Sequence, residues 1–263
     1  MPTFRVAAYQ MRVSADLDEN FSKIKAAIEQ AAAGGARMLA LPECGLSGYP
    51  PLHHASVDEI DTFCIAQLNA EVQDLARQSG IWVILGTILA STRGLLNSAL
   101  VISDAGELVG RYDKLHLTDA DQEFFIPGVG VRAYEIGGLR FGVQICYDAR
   151  FPEPFRYLRE LGCRLIVCIF NACGKESWKL PVLEGTFRCR AAENSCFLVA
   201  VNAAGPVQMA ASRICNPRGL DLAAAEVDQE QMLFADIDPA EAEVGCFFDR
   251  RLDQFEVVPR FKI

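Results

Sequence analysis

Apolar residues in the first part of the chain recur at two different spacings, which predict alternating strands and helices. Residues 4–11 combine alternation with clustering, as a strand does, and residues 16–33 place apolar side chains three and four positions apart, as one helix face does. Gly34 and Gly35 then end that helix. The succession repeats with an apolar run at 38–41, a helical stripe over 60–75 and a strand at 81–89.

Short apolar runs of strand length dominate the rest of the chain. They lie at residues 98–102, 107–117, 140–146, 164–170, 197–202 and 232–237. Helical spacing returns at 152–161 and at about 179–194. Strands and helices are therefore mixed throughout, which predicts an α/β fold, and the many strands favour two stacked sheets with helices outside. No linker or internal repeat divides the chain, so we expect a single domain over residues 1–263.

Composition and charge narrow the classes of function. The chain has 263 residues and is 51% hydrophobic, which is ample for a substantial buried core. Its formal charge is −9, with 34 acidic against 25 basic residues. Because binding to a phosphate backbone relies on a basic surface, nucleic acid is not an expected partner.

Targeting signals and metal motifs are also missing from the sequence. The N-terminal residues lack the basic segment, apolar stretch and cleavage site of a secretory signal. The longest apolar runs are far shorter than the roughly 18 residues of a membrane-spanning helix. We therefore expect a cytoplasmic protein that does not contact membranes, with its ten cysteines reduced. Without a Cys-x-x-Cys pair or metal-ligand spacing among three histidines, no metal site is predicted.

Cys146 is the first candidate for chemistry. It stands where an apolar strand meets a helix that opens near Pro152. At such a junction, backbone N–H groups and the positive end of the helix dipole favour a thiolate and, later, an oxyanion. The alternative is a small buried hydrophobic residue, as most free cysteines are.

Glu43 is the candidate base for such a thiol, since His53, His54 and His116 are not in an evident catalytic setting. It ends a short apolar strand, and apolar neighbours can raise the proton affinity of a carboxylate enough for base and acid roles. The alternative is a solvated turn residue, because glutamate is rarely buried.

Lys114 is the candidate for stabilising an oxyanion, because it lies inside a strand-like run and could point its ammonium into a cleft. The alternative is a solvent-facing strand lysine. Glu123 precedes two aromatic residues and a turn, and it is a candidate for orienting Lys114 or the substrate nitrogen. A base, a cation and a nucleophile near strand ends would form a complete set for acyl transfer.

Four motifs occur along the chain in a fixed order and spacing. They are Leu41-Pro42-Glu43 with Ser47-Gly48-Tyr49, Tyr112-Asp113-Lys114-Leu115-His116-Leu117, Glu123 four residues before Pro127-Gly128, and Ile145-Cys146-Tyr147-Asp148-Ala149-Arg150-Phe151-Pro152-Glu153. Each motif is weak alone, but the ordered set resembles that of the nitrilase, or carbon–nitrogen hydrolase, superfamily over nearly the whole chain.

The resemblance implies a four-layer αββα sandwich that pairs into homodimers or higher assemblies. It implies a Glu43–Lys114–Cys146 triad, a supporting role for Glu123, and no cofactor. The class of enzyme it implies is a hydrolase of carbon–nitrogen bonds other than peptide bonds.

Within this resemblance, Cys146-Tyr147-Asp148 is similar to the amidase branches, whereas true nitrilases typically carry Trp-Glu after the cysteine. We therefore expect hydrolysis of a small-molecule amide through a thioester, with the Tyr147 backbone N–H and Lys114 holding the oxyanion. Hydrolysis of N-carbamoyl compounds or nitriles, and a catalytically silent binding or scaffold protein, are the alternatives. Candidate pocket walls, from their proximity to the motifs, are Tyr49, Phe124 and Asn171.

Overall fold

The computed structural model describes residues 3–50, 52–174, 176 and 178–250. Its strands form two six-stranded mixed sheets. In order across the first sheet, the strands are β12 (Gln231–Ile237), β1 (Phe4–Gln10), β2 (Met38–Ala40), β3 (Trp82–Ser91), β4 (Gly94–Ile102) and β5 (Leu108–Asp113). In order across the second sheet, they are β11 (Asp221–Ala224), β10 (Arg213–Cys215), β9 (Phe197–Asn202), β8 (Leu165–Phe170), β7 (Leu139–Ile145) and β6 (Ala133–Ile136).

Four long helices and one short helix accompany the sheets. They are α1 (Leu17–Ala33), α2 (Thr62–Ser79), α3 (Asp119–Gln122), α4 (Pro152–Glu160) and α5 (Lys179–Asn194). Helix starts follow local signals: the side chains of Asp16 and Asp61 cap α1 and α2, and Pro152 occupies the first turn of α4.

Three apolar clusters separate four layers. One lies between the two sheets, a second joins α1 and α2 to the outer face of the first sheet, and a third joins α4 and α5 to the outer face of the second. The strands β2, β8 and β9 are buried along their whole length, because both faces of each sheet are covered. The predicted αββα sandwich is therefore confirmed.

The predicted strand at 107–117 differs from the structure in a way that matters for the site. β5 ends at Asp113; the main-chain N–H of Lys114 still donates to Asn97 on β4, but its carbonyl oxygen accepts from Gly128, which lies outside the sheet. A Cβ atom at Gly128 would overlap the carbonyl oxygen of Asp113, so the close crossing at Pro127-Gly128 requires glycine. Leu115 and Leu117 beyond Asp113 thus belong to a partly buried loop instead of a longer strand.

Three short strands were not predicted from periodicity: β6, β10 and β11. β11 has no buried residue, β10 has only three residues and β6 only four. Strands this short or this exposed give no recognisable alternation of apolar and polar residues. Across the described part of the chain, no helix is long and apolar enough to cross a membrane.

Candidate active site

Three strand ends bring the candidate residues together at one edge of the sandwich. Glu43 follows β2 after two residues, Lys114 follows β5 directly, and Cys146 follows β7 directly. The first two belong to one sheet and Cys146 to the other, so the candidate site is assembled across the interface between the sheets.

Glu43 and Lys114 form a fully buried ion pair. Lys114 Nζ donates to Glu43 Oε1 at 2.7 Å, and the side chains of both residues are 0% exposed. Asn97 Nδ2 donates to the same carboxylate oxygen at 2.7 Å. Glu43 Oε2 has no hydrogen-bond partner among the residues that the structure describes, so this oxygen is available to take up a proton.

Close packing of the main chain positions Glu43. Gly86 on β3 faces the carbonyl group of Pro42, and a Cβ atom at this glycine would overlap the carbonyl oxygen. The absence of a side chain at Gly86 therefore lets the segment that carries Glu43 lie directly on the sheet.

A second carboxylate, that of Asp121, binds Lys114 from another side. Lys114 Nζ donates to Asp121 Oδ2 at 2.8 Å, and Tyr49 Oη donates to Asp121 Oδ1 at 2.9 Å. Asp121 is fully buried. The lysine ammonium is thus held between two carboxylates in the protein interior.

The structure corrects the predicted supporting role of Glu123. Glu123 is exposed at the C-terminal cap of α3, two residues, or about half a turn, beyond the inward-facing position that Asp121 occupies. The sequence does carry a signal for Asp121: Thr118 and Asp121 form a capping box, in which each side chain accepts a hydrogen bond from the backbone N–H of the other. A helix start at Thr118 turns Asp121 inward, and no helix was predicted for this segment.

Cys146 occupies a sharp turn. Its φ angle of 50° lies in the left-handed region, which non-glycine residues seldom adopt and which is typical of residues held for function. It begins a 3₁₀ helix, Cys146–Arg150, that leads into α4. Its side chain is partly buried, and Sγ lies 3.9 Å from the main-chain oxygen of Asn171.

Burial and nearby charges set the proton affinities of these groups. Burial raises the pKa of the Cys146 thiol, and the charge of Glu43 raises it further while Lys114 opposes the increase. Burial also raises the pKa of Glu43, against the effect of Lys114. Burial lowers the pKa of Lys114, but the charges of Glu43 and the other acidic neighbours outweigh it and the net pKa is raised. The resting thiol is therefore neutral and the lysine is an ammonium ion.

Asp121 differs from Glu43 although both contact the same lysine. Burial alone would raise the pKa of Asp121, but the charge and hydrogen bond of Lys114, together with hydrogen bonds from Thr118, bring it below its ordinary value. Two carboxylates whose pKa values are moved in opposite directions can take different roles, one as a permanent anion and one as a proton carrier.

A cavity of about 530 Å³ opens in front of Cys146, which is within the usual size range for small-molecule sites. Two of the predicted wall residues, Tyr49 and Asn171, line it, and so does Tyr147. Phe124 does not line it in the described structure and packs instead in an apolar cluster with Tyr49 and neighbouring side chains.

Several residues that line this cavity were not predicted. They include Thr118, Asp119, Arg150, Cys173, Glu176 and Trp178. Arg150 lies within the Cys146 motif, so its position beside the cysteine could have been inferred from sequence; the others approach only because the fold brings their loops together.

Metal ligands and disulfides do not contribute to the described site. All ten cysteines are free. No group of three or more histidine, cysteine, aspartate or glutamate side chains that could hold a metal ion occurs in the described ranges.

Fold and cavity together define an α/β sandwich with a cavity of small-molecule size between its strand ends. A carbon–nitrogen hydrolase family model matches residues 5–244. The chain is 31% identical over 280 residues to an omega-amidase from Bos taurus, covering 98% of both proteins, and 31% identical over 232 residues to a nitrilase from Pyrococcus abyssi, covering 84% of both. An amidase of the nitrilase superfamily from Nesterenkonia superimposes with a TM-score of 0.80 at 23% identity, covering 95% of each chain.

The chain belongs to the carbon–nitrogen hydrolase family. It is a hydrolase acting on carbon–nitrogen bonds other than peptide bonds.

Proposed function

We propose that the protein hydrolyses a small-molecule amide to a carboxylate and ammonia through a thioester on Cys146. The observation that carries this proposal is the buried ammonium of Lys114 between two carboxylates, one of which, Glu43, keeps an oxygen without a partner among the described residues. A neutral thiol, a base of raised proton affinity and a fixed cation are the groups that acyl transfer needs.

The first half of the reaction forms the thioester. Glu43 takes the thiol proton as Cys146 Sγ bonds to the amide carbonyl carbon, and the carbonyl oxygen becomes an oxyanion. Lys114 and the Tyr147 backbone N–H stabilise this oxyanion. The carbon–nitrogen bond then breaks, and Glu43 returns the proton to the leaving nitrogen, which departs as ammonia.

The second half releases the acid. Glu43 removes a proton from water while the water oxygen bonds to the thioester carbonyl carbon, and the carbon–sulfur bond breaks. The proton on Glu43 then returns to sulfur. Asp121, with its lowered pKa, keeps its charge throughout and holds Lys114 as an ammonium ion.

A panel of substrates tests the proposal. We expect ammonia from short aliphatic amides and from monoamides of dicarboxylic acids, because their carbonyl group can reach Cys146 through an open cavity. Assays of ammonia release should also include N-carbamoyl compounds and nitriles. Turnover confined to either of the latter two would assign the enzyme to another branch, and no turnover of any compound would favour a binding protein.

Arg150 supports a narrower substrate class. It ends the 3₁₀ helix that begins with Cys146, lines the cavity, and stacks on Trp178 with its guanidinium carbon 5.2 Å from the ring centroid. Among the described residues, no carboxylate is paired with Arg150, whereas Glu176 in the same cavity is paired with Lys179. We propose that Arg150 binds a carboxylate at the far end of the substrate, which agrees with the omega-amidase name of a full-length relative.

Replacement of Arg150 by methionine should therefore separate charged from neutral amides. Loss of a charge-assisted hydrogen bond is expected to raise KM for monoamides of dicarboxylic acids by about 10- to 100-fold. KM for a neutral amide of the same length should change by less than about 3-fold. Arg93→Met, at an exposed arginine between β3 and β4, is the matched control. Equal effects of Arg150→Met on both substrates would contradict carboxylate recognition.

Location in the cytoplasm, assembly into homodimers or larger homo-oligomers, and the absence of nucleic-acid partners stay predictions. Size-exclusion chromatography with light scattering would give the mass of the assembly directly.

A further inference from the structure

Asp148 is a buried carboxylate that the proposed reaction does not use. It lies two residues after Cys146, is 0% exposed, and accepts four hydrogen bonds. The donors to Oδ1 are the backbone N–H and Nδ1 of His116, at 2.8 and 2.7 Å, and the donors to Oδ2 are Tyr112 Oη and the backbone N–H of Ile145, at 2.8 and 3.3 Å.

These four bonds use the full acceptor capacity of the carboxylate, which offers about four lone-pair sites. No site is left for a substrate or a water molecule. Asp148 therefore contributes through what it holds in place and does not take part in proton transfer.

The donors connect the two sheets on either side of the reacting groups. Tyr112 and His116 lie two residues before and two residues after Lys114, and Ile145 directly precedes Cys146. Lys114 follows a strand of the first sheet and Cys146 a strand of the second. Asp148 thus fixes the turn that carries the nucleophile to the segment that carries the cation.

Apolar packing between the sheets does not by itself fix the position of Cys146 relative to Lys114. The inter-sheet cluster is made of aliphatic and aromatic side chains, whose attraction depends on buried area and has little directionality. Cys146 is also held at a φ angle of 50°, a conformation that persists only where the surroundings enforce it. Directional hydrogen bonds to Asp148 supply that constraint.

We infer that Asp148 is a positioning residue that sets the placement of the Cys146 thiol relative to Glu43 and Lys114. His116 assists it from the segment that follows β5, and its ring also stacks on Phe151 at a centroid distance of 3.7 Å. The inference concerns the site of the proposed reaction, and it is tested by a reaction that needs no turnover.

The test measures the rate at which 2-chloroacetamide, a small alkylating amide, modifies Cys146. Mass spectrometry of the peptide that contains Cys146 separates this thiol from the other nine. Asp148→Asn keeps the side-chain volume but places an amide nitrogen against one pair of donors. We expect alkylation of Cys146 about 30- to 100-fold slower than in the wild type, because a displacement of about 1 Å can lower a rate 10²-fold.

A double variant distinguishes positioning from a general effect on the fold. If Asp148 acts by holding Cys146 beside Glu43, then Asp148→Asn should slow alkylation by less than about 3-fold once Glu43→Gln is present, since the two residues act as one unit. The inference would be overturned if Asp148→Asn slowed alkylation by the same factor with and without Glu43→Gln. It would also be overturned if Asp148→Asn were alkylated at the wild-type rate.

His116→Phe provides a second route in case Asp148→Asn does not fold. It removes the Nδ1 donor but keeps the backbone hydrogen bond and the aromatic stack. We expect alkylation about 3- to 10-fold slower, with the same loss of effect in the Glu43→Gln background. An unchanged rate would contradict the inference. Asp236→Asn, at an exposed carboxylate paired with Arg5, is the matched control.

Amide hydrolysis is scored separately on the same proteins. If the wild type hydrolyses no amide while alkylation of Cys146 still depends on Asp148 and Glu43 together, the proposed substrate class is wrong and the positioning role stands. If amides are hydrolysed normally by Asp148→Asn, the proposed function stands and the positioning role is wrong.

Discussion

Cys146→Ala should abolish ammonia release, lowering kcat by about 10⁶-fold, because removal of the nucleophile leaves no route through a thioester. The side chain is partly buried in a turn with positive φ, and alanine fits that space, so the variant should melt within a few degrees of the wild type. The measurement is ammonia release from the best substrate of the panel, together with thermal unfolding.

Cys64→Ala is the matched control, since this cysteine lies on α2, away from the cavity. It should retain full activity. Electrospray mass spectrometry during turnover adds a direct check: wild type should carry the acyl group of the substrate on Cys146, and Cys146→Ala should carry none. Activity retained by Cys146→Ala would refute the thioester mechanism outright.

Cys146 does not differ from the other cysteines by being a resting thiolate. Burial and the charge of Glu43 raise its pKa, so the thiol is neutral at rest. Cys189 and Cys246 are exposed and will react with general alkylating agents. Reaction at Cys146 depends on transfer of its proton to Glu43, which explains why an amide-shaped reagent reports on the site better than a general one.

The sequence predicts the architecture well because periodicity records burial. Residues 179–194 were predicted as a helix with the bounds of α5, and residues 197–202 as a strand with those of β9. Both segments pack in the same apolar cluster, and the side chains that face it must be apolar, which the sequence records. Exposed edge strands such as β11 give no such record, because no face of them is buried.

The site was predicted less completely than the fold. Glu43, Lys114 and Cys146 follow strands β2, β5 and β7, and the sequence placed all three at or near predicted strands although it extended the strand of Lys114 too far. Asp121 and Glu123 are two positions apart in a four-residue helix and its cap, so their side chains point to different sides of the chain. The capping box of Thr118 and Asp121 is the local signal for the inward-facing carboxylate, and the bonds of Asp121 to Lys114 and Tyr49 show its direction in the folded chain.

Pocket walls were the least predictable part. Trp178 and Glu176 come from a loop between β8 and α5, and they reach the cavity because the two sheets and α5 are packed together. Such long-range proximity has no local pattern, and Phe124, which was chosen from its position beside a motif, packs in an apolar cluster with Tyr49.

Lys114→Met should lower stability as well as activity. Methionine fills much of the same space but leaves the carboxylates of Glu43 and Asp121 buried without their cation. Removal of one partner from a buried ion pair destabilises a protein by about 3–5 kcal/mol. For a chain of this size we expect a fall in Tm on the order of 10 °C at pH 8, measured by differential scanning calorimetry.

The sign of the pH dependence separates this explanation from poor packing of methionine. In the wild type, the pKa of Asp121 is lower in the folded protein than in the unfolded chain. This difference stabilises the fold at every pH above the ordinary pKa of aspartate, and the stabilisation is lost as the pH falls through the pKa of the folded state. In Lys114→Met, burial without a cation raises the pKa of both carboxyl groups, so acidification neutralises them and favours the folded state. The stability difference from wild type should therefore shrink between pH 8 and pH 5.

Replacing both carboxylates by neutral amides should restore the stability that Lys114→Met loses. Adding Glu43→Gln and Asp121→Asn to Lys114→Met removes both unpaired charges, and the triple variant should recover most of the lost Tm while remaining inactive. Lys25→Met, at an exposed lysine on α1, is the control and should change stability by less than about 0.5 kcal/mol. A stability loss in Lys114→Met that is independent of pH and unrelieved in the triple variant would show that Lys114 stabilises the protein through packing and not as the cation between Glu43 and Asp121.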